Sequence, residues 1–162
     1  MSPPEEKGVY ALIIKAKHDT EVTAGSLGPV KLASGYYVYV GSALGPGGLK
    51  ARISRHLNRS KKLKWHIDYL LSHSSAEIVG VICAVTNKRY ECRIVHELLK
   101  HGAYAPVRKF GATDCREKCP AHLLKHDKPI SEIIIDILKV WSRFELKPLI
   151  YDYGYSTLID VK

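Results

Sequence analysis

Tyr10 closes the tripeptide Gly8-Val9-Tyr10, and Tyr39 opens the tripeptide Tyr39-Val40-Gly41. A free phenol titrates at about pH 10 and is a poor base at neutral pH. Guanidinium groups or a metal beside it favour the phenolate, which can take a proton from an attacking water. Arg52 and His56 stand one helical turn apart, after the loop Gly45-Pro46-Gly47-Gly48. A helix that begins after such a loop offers free backbone N–H groups and a positive dipole end to a phosphate. A guanidinium fixed beside them would stabilise charge building on a pentacoordinate phosphorus. Glu91 falls inside the apolar arc of a helical pattern formed by Cys92, Ile94, Val95, Leu98 and Leu99. An inward carboxylate there is costly unless paired or bound to a cation; the competing reading is a first-turn acid that complements the helix dipole. Glu97 falls on the opposite, polar side with Arg93 and Lys100.

Charge and ligand types add two further groups. Of 25 Lys+Arg against 16 Asp+Glu, for a net charge of +9, the excess lies before residue 127. It concentrates in Lys50, Arg52, Arg55, Arg59, Lys61, Lys62 and Lys64, with no acid between them. Such a run is either a solvated face or a polyanion-binding one, and the absence of interleaved acids favours nucleic acid. Cys115, Cys119, His122 and His126 are zinc-ligand types in a loop-rich segment. Their spacing is irregular for a zinc module, so structural or core cysteines are expected there rather than zinc. Trp65, His66 and Tyr69 either stack on bases or pack a helix on a sheet, and packing is the expectation.

The elements that must position these residues follow from periodicity. Gly8–Ala16 reads as a strand, Thr20–Ala24 as a short one, and Val30–Ser42 as another, with Val38 and Val40 on one face and Tyr37 and Tyr39 on the other. Tyr36 and Tyr37 are expected to pack. Leu49–Arg59, Trp65–His73 and Lys88–His101 read as helices, Glu77–Val85 as a strand, and Ser131–Phe144 as an amphipathic helix. Residues 103–127 show poor periodicity, and 149–161 read as a closing hairpin turning near Gly154. The order predicts an α/β (α+β) fold with a small, mainly antiparallel sheet flanked by helices. A domain over 1–126 would carry a helix-plus-hairpin extension, 127–162, packed on it.

The two tripeptides, their order, the following Arg52 and His56, and the later helical Glu91 resemble the GIY-YIG nuclease superfamily. The stretch YVGSALGPGGLKARISRHL (Tyr39–Leu57), with WHIDYLL (Trp65–Leu71) and the DC…HL segment (Asp114–Leu123), is similar to a little-characterised, archaeal-type branch of it. The resemblance spans about residues 8–125. It implies a metal-dependent DNA endonuclease, active in repair or recombination, with Tyr10 as base, Tyr39 and His56 in support and Arg52 on the phosphate. Glu91 would hold one Mg²⁺ or Mn²⁺. Lys50, Arg55, Arg59, Lys61, Lys62 and Lys64 would contact the nucleic acid, DNA first and RNA second. The alternative is a non-catalytic nucleic-acid-binding module with the same fold.

Composition excludes other classes. With 46% hydrophobic and 25% charged residues, the chain is neither disordered nor fibrous. Its longest apolar stretch, around Ile133 to Trp141, is broken by Asp136 and Lys139, so no membrane span is expected. Without a secretory pattern at the start, a cytoplasmic location with reduced cysteines is the expectation.

Overall fold

The computed structural model describes residues 2–113, 115 and 117–153. Strand β1 (Gly8–Ala16) forms because Val9, Tyr10, Leu12, Ile13 and Ile14 favour a pleated, buried surface. After the two-stranded ribbon β2 (Thr20–Thr23) and β3 (Pro29–Leu32), β4 (Gly35–Ala43) pairs antiparallel with β1. Helices α1 (Gly48–Leu57) and α2 (His66–Leu71) follow, then β5 (Ala76–Val85), α3 (Glu91–Lys100), β6 (Leu123–His126), α4 (Ile130–Arg143) and β7 (Leu149–Asp152). The main sheet is five-stranded and antiparallel, in the order β6-β4-β1-β5-β7. A mixed α+β fold around an antiparallel sheet is what the hydrophobic patterning predicts.

The central strand is buried on both faces. Val9, Ala11 and Ile13 join Val38, Val40 and the apolar stripes of α3 and α4 in one core. Tyr10, Leu12 and Ile14 join Tyr37, Tyr39, Leu49, Ile53, Ile67 and Leu70 in the other, beneath α1 and α2. The alternation expected along β4 holds, and Tyr37 is fully buried. Trp141 of α4 lies at the bottom of the first core and donates from its indole N–H to Cys83 O at 3.2 Å. The segment after residue 126 thus supplies a layer of the same core, and β7 extends the sheet beside β5.

Four elements differ from the sequence reading. The predicted strand over 30–42 is two strands, β3 and β4, with Ala33 and Ser34 between them. Helix α3 starts at Glu91 instead of Lys88, which puts Glu91 at its first position. Within the aperiodic region, β6 forms because the free edge of β4 pairs it, Tyr36 opposite His126 and Tyr39 opposite Leu123. Of the expected closing hairpin, β7 is present; its turn at Gly154 and its second arm lie outside the described residues, as does Asp114.

Candidate active site

The antiparallel pairing of β1 and β4 sets Tyr10 opposite Gly41 and Leu12 opposite Tyr39, so both tyrosines project into the core beneath α1. From α1, His56 is 2% exposed and meets them: its Nε2 is 2.8 Å from the Tyr10 hydroxyl, and its ring is edge-on to Tyr39. Burial pushes the His56 imidazole down to about 3, further than Asp68 can raise it, so the ring is neutral at neutral pH. In the tautomer that carries its proton on Nδ1, Nε2 accepts the Tyr10 O–H; in the other, Nε2–H donates to the phenol oxygen. Arg52, one turn earlier, donates from Nη1 to Ser42 O at 2.9 Å and lies with its guanidinium 4.7 Å from the centre of the Trp65 ring.

The expectation that guanidinium groups make Tyr10 a phenolate is corrected by its surroundings. Burial is the largest influence and raises Tyr10 to about 12; Arg52 and Arg55 oppose it without overcoming it, and Glu91 adds to the rise. Burial pushes Tyr39 up as well. Both phenols are protonated at neutral pH, and the Tyr10 hydroxyl shares one hydrogen bond with His56 Nε2.

Glu91 heads α3 with a side chain 14% exposed and 3.5 Å from Arg89. It lines a cavity of about 840 Å³ with Tyr39, Trp65, Arg89, Cys92 and His122. Arg52 lines a smaller one of about 150 Å³ beside the glycine loop, together with Arg55. Tyr10, Tyr39 and His56 are in direct contact, and Arg52 is near enough to lower the Tyr10 phenol. Glu91 shares a cavity wall with Tyr39 and acts on the phenols through its charge alone. Glu97 is not on a solvent face, contrary to the helical-wheel reading. It is 14% exposed, 3.0 Å from Arg143 of α4 and 3.3 Å from Lys100.

The helix start does not offer free donors to a phosphate. The four first N–H groups of α1 are all used: Gly48 on Gly45 O, Leu49 on Glu6 O, Lys50 on Pro4 O and Ala51 on Gly47 O. The chain before β1 caps this helix.

The basic run is divided by its partners. Arg55 makes a two-pronged bond to the fully buried carboxylate of Asp68, 2.8 Å from each oxygen, and its guanidinium lies 4.1 Å over Trp65. Asp68 also accepts the backbone N–H of Lys64 and Trp65. Arg59 donates to the carbonyls of Leu71, His73 and Ala76, and Lys61 to those of His56 and Asn58. Arg55 and Arg59 lock α1 onto α2 and the chain beyond it, whereas Lys61 folds back on the last carbonyls of α1 itself. Lys62 and Lys64 are exposed, and Lys50 is half-exposed 3.8 Å from Glu5. Trp65 forms the platform under Arg52 and Arg55, while His66 accepts the Gly111 N–H at 2.9 Å and packs on Phe110. The packing reading of this cluster is the one the contacts support. Sequence reasoning missed Asp68; its signal was a lone acid after a run of cations, at the third position of a helix.

A second group lies on the same cavity. Cys92, Cys115, Cys119 and His122 place their ligand atoms all within 4.8 Å of one another, a set that could hold a metal ion. Cys92 and Cys119 meet as a disulfide pair, with Cys115 Sγ 3.0 Å from Cys92 and 3.5 Å from Cys119. One correction follows. His126 is not in the group: it is buried in β6, paired opposite Tyr36. Cys83 and Cys115 are free, while Cys92 and Cys119 are close enough either to pair or, as thiols, to share an ion.

Among the described residues, no helix is long and apolar enough to cross a membrane. No curated protein and no solved structure matches the chain. One family model does match, over residues 9–143, a span that holds every side chain of both groups. The chain belongs to the family described as "Domain of unknown function DUF123".

Proposed function

We propose that this protein is a metal-dependent endonuclease that hydrolyses phosphodiester bonds in DNA, by chemistry like that of the GIY-YIG nucleases it resembles. The observation that carries the reading is the 2.8 Å bond from Tyr10 to a buried, neutral His56, with Arg52 and Glu91 close enough to bias the phenol. Packing alone does not require a phenol, an imidazole, a guanidinium and a carboxylate to converge on one end of a sheet.

In this reading the Tyr10 oxygen receives a proton from the attacking water as its own proton passes to His56 Nε2. The phenolate never forms free, and the charge passes instead to His56, whose burial resists it. The transfer therefore needs the negative charge growing on the phosphate to offset the imidazolium. Arg52, held by Ser42 O and the Trp65 face, is oriented to meet charge growing on the phosphate. Glu91 fits a hard divalent cation: it is a largely covered carboxylate on a cavity wall, and one such ligand with waters suits Mg²⁺ or Mn²⁺. Such an ion supplies electrostatic stabilisation of the scissile phosphate.

The test is incubation with labelled DNA and RNA of duplex, nicked and branched forms, with Mg²⁺, with Mn²⁺ and with chelator. Metal-dependent DNA cleavage that is lost in Arg52→Ala supports the reading. Retarded complexes without products in any metal overturn it in favour of a binding module.

A further inference from the structure

Residues 101–122 connect α3 to β6 with no helix or strand among the described residues, an unusual length for a connection inside a compact domain. Yet Phe110, Ala112, Cys119 and Ala121 are buried, so this connection is held in place. Its backbone is tied at a few points: His122 N–H to Phe110 O at 2.8 Å, Val40 N–H to His122 O at 3.0 Å, and Tyr104 with Lys125. Three of its side chains, Cys115, Cys119 and His122, converge on Cys92 at the second position of α3.

We propose that in the reduced protein Cys92, Cys115, Cys119 and His122 bind one structural zinc ion, which staples the 101–122 connection to the first turn of α3. Three thiolates and an imidazole are a donor set that zinc favours. In a tetrahedral site with zinc–sulfur bonds of about 2.3 Å and zinc–nitrogen bonds of about 2.0 Å, neighbouring ligand atoms stand roughly 3.5–3.8 Å apart. Cys115 Sγ to Cys119 Sγ is 3.5 Å, and Cys92 Sγ to His122 Nε2 is 3.7 Å. Cys92 and Cys115, at 3.0 Å, must part by about 0.8 Å to admit the ion, and Cys92 and Cys119, paired here, must be reduced and part by more.

A disulfide between Cys92 and Cys119 would use two of the four groups. It gives no reason for Cys115 and His122 to be aimed at the same point, whereas a metal uses all four. Cys83, buried in β5, takes no part in the cluster and serves as the internal control. The site is separate from the Glu91 carboxylate in ligand chemistry, soft sulfur against hard oxygen, although the two residues are adjacent in sequence.

The full chain, purified under reducing conditions and freed of loosely held metal, is to be analysed for zinc without any nucleic acid present. The expected result is about one equivalent per chain, and replacement by cobalt(II) gives the intense visible bands and sulfur-to-metal charge-transfer absorption of a tetrahedral thiolate site. Cys115→Ser and His122→Ala should each weaken zinc binding at least about tenfold, while Cys83→Ser leaves it unchanged. If a ligand variant fails to fold, the cobalt spectrum of the unmutated protein decides alone. Protein that is folded and zinc-free under reducing conditions, with no thiolate cobalt spectrum, overturns the proposal. So does zinc retained in full by Cys115→Ser, which would point to a site elsewhere.

Discussion

Tyr10 and Gly41 face each other across β1 and β4, and the tyrosine ring covers the glycine where a side chain would stand. A Cβ on Gly41 would lie 2.5 Å from Tyr10 Cζ, closer than such atoms approach. The glycine of the second tripeptide thus makes room for the tyrosine of the first, and that ring's path to His56 depends on it.

Gly41→Ala should therefore act through Tyr10. The added methyl overpacks a closed core, at a cost of about 1–3 kcal/mol, and displaces the phenol from His56. Urea unfolding should show the loss of stability, and single-turnover assays a matching loss of cleavage. A variant with normal stability and rate would mean that Tyr10 has another place to go.

Tyr10→Phe keeps the ring and deletes the bond to His56. It leaves Nε2 buried without its partner, which costs about 1–3 kcal/mol of stability. If the Tyr10–His56 relay operates, cleavage falls at least about a hundredfold, or roughly 2.7 kcal/mol of transition-state stabilisation, with DNA affinity little changed. Cleavage within a few-fold of normal would assign Tyr10 to packing.

Sequence patterning reached those parts of the molecule that its own local chemistry determines. β1 spans the very residues whose β-branched and aromatic run marks it, and the alternation of Val38 and Val40 with Tyr37 and Tyr39 assigns both faces of β4. Pairing decided what patterning missed. β6 has four residues with no alternation to read and exists because β4 offers an open edge. Arg55 and Arg59 look like surface cations until the fold brings them Asp68 and three carbonyls. Cys92 reads as one more apolar residue on α3, because the thiol that meets it is 23 residues away. In the candidate site, residue types were legible, whereas protonation was not: the guanidiniums are visible in the sequence and the burial that outweighs them is not.

Burial also sets a dependence of stability on pH. His56 is held down at about 3 and His126 at about 4, against the ordinary value of 6.5. The unfolded chain takes up protons below pH 6.5 that these folded rings refuse, so stability falls as pH drops from 6.5 toward those values. Each ring contributes up to about 1.4 kcal/mol per pH unit inside its window. Replacing His126, which lies away from the candidate site, with Phe should reduce the slope by about one proton. Denaturant midpoints between pH 7 and pH 5 measure it; an unchanged slope would show that His126 does charge in the folded state.

Glu91 and Glu97 share α3 and are equally covered, yet they face different partners. If Glu91 holds the divalent ion, Glu91→Gln should lower cleavage at least about a hundredfold while melting stays near normal. Glu97→Gln breaks ion pairs with the exposed Arg143 and Lys100 and should cost at most about 1 kcal/mol of stability, with no effect on cleavage. Full activity in Glu91→Gln would leave it only the role of complementing the helix dipole.

The last prediction separates cations that can meet DNA from those occupied inside the fold. Lys62 and Lys64 are exposed, while Arg55 is clamped on the buried Asp68 carboxylate. If DNA binds along this face, each phosphate contact made by a lysine contributes about 0.9 to the slope of log K against log salt. Replacing Lys62 and Lys64 together with Ala should flatten that slope by up to about 1.8 and leave thermal stability alone. Arg55→Ala should do the reverse. It strands a carboxylate that the fold has taken out of water, at about 3–5 kcal/mol, and it frees Trp65 from one of the guanidiniums that cover it. Any loss of binding in that variant should follow its unfolding, disappear under conditions where it is folded, and leave the salt slope as it was. Affinity measured at several salt concentrations on both variants, each beside a melting curve, tells the two roles apart. A slope that flattens in folded Arg55→Ala would show that this guanidinium reaches the phosphate backbone despite Asp68. A slope unmoved in the double lysine variant would show that this part of the basic run is a solvated face and that DNA, if bound, lies elsewhere.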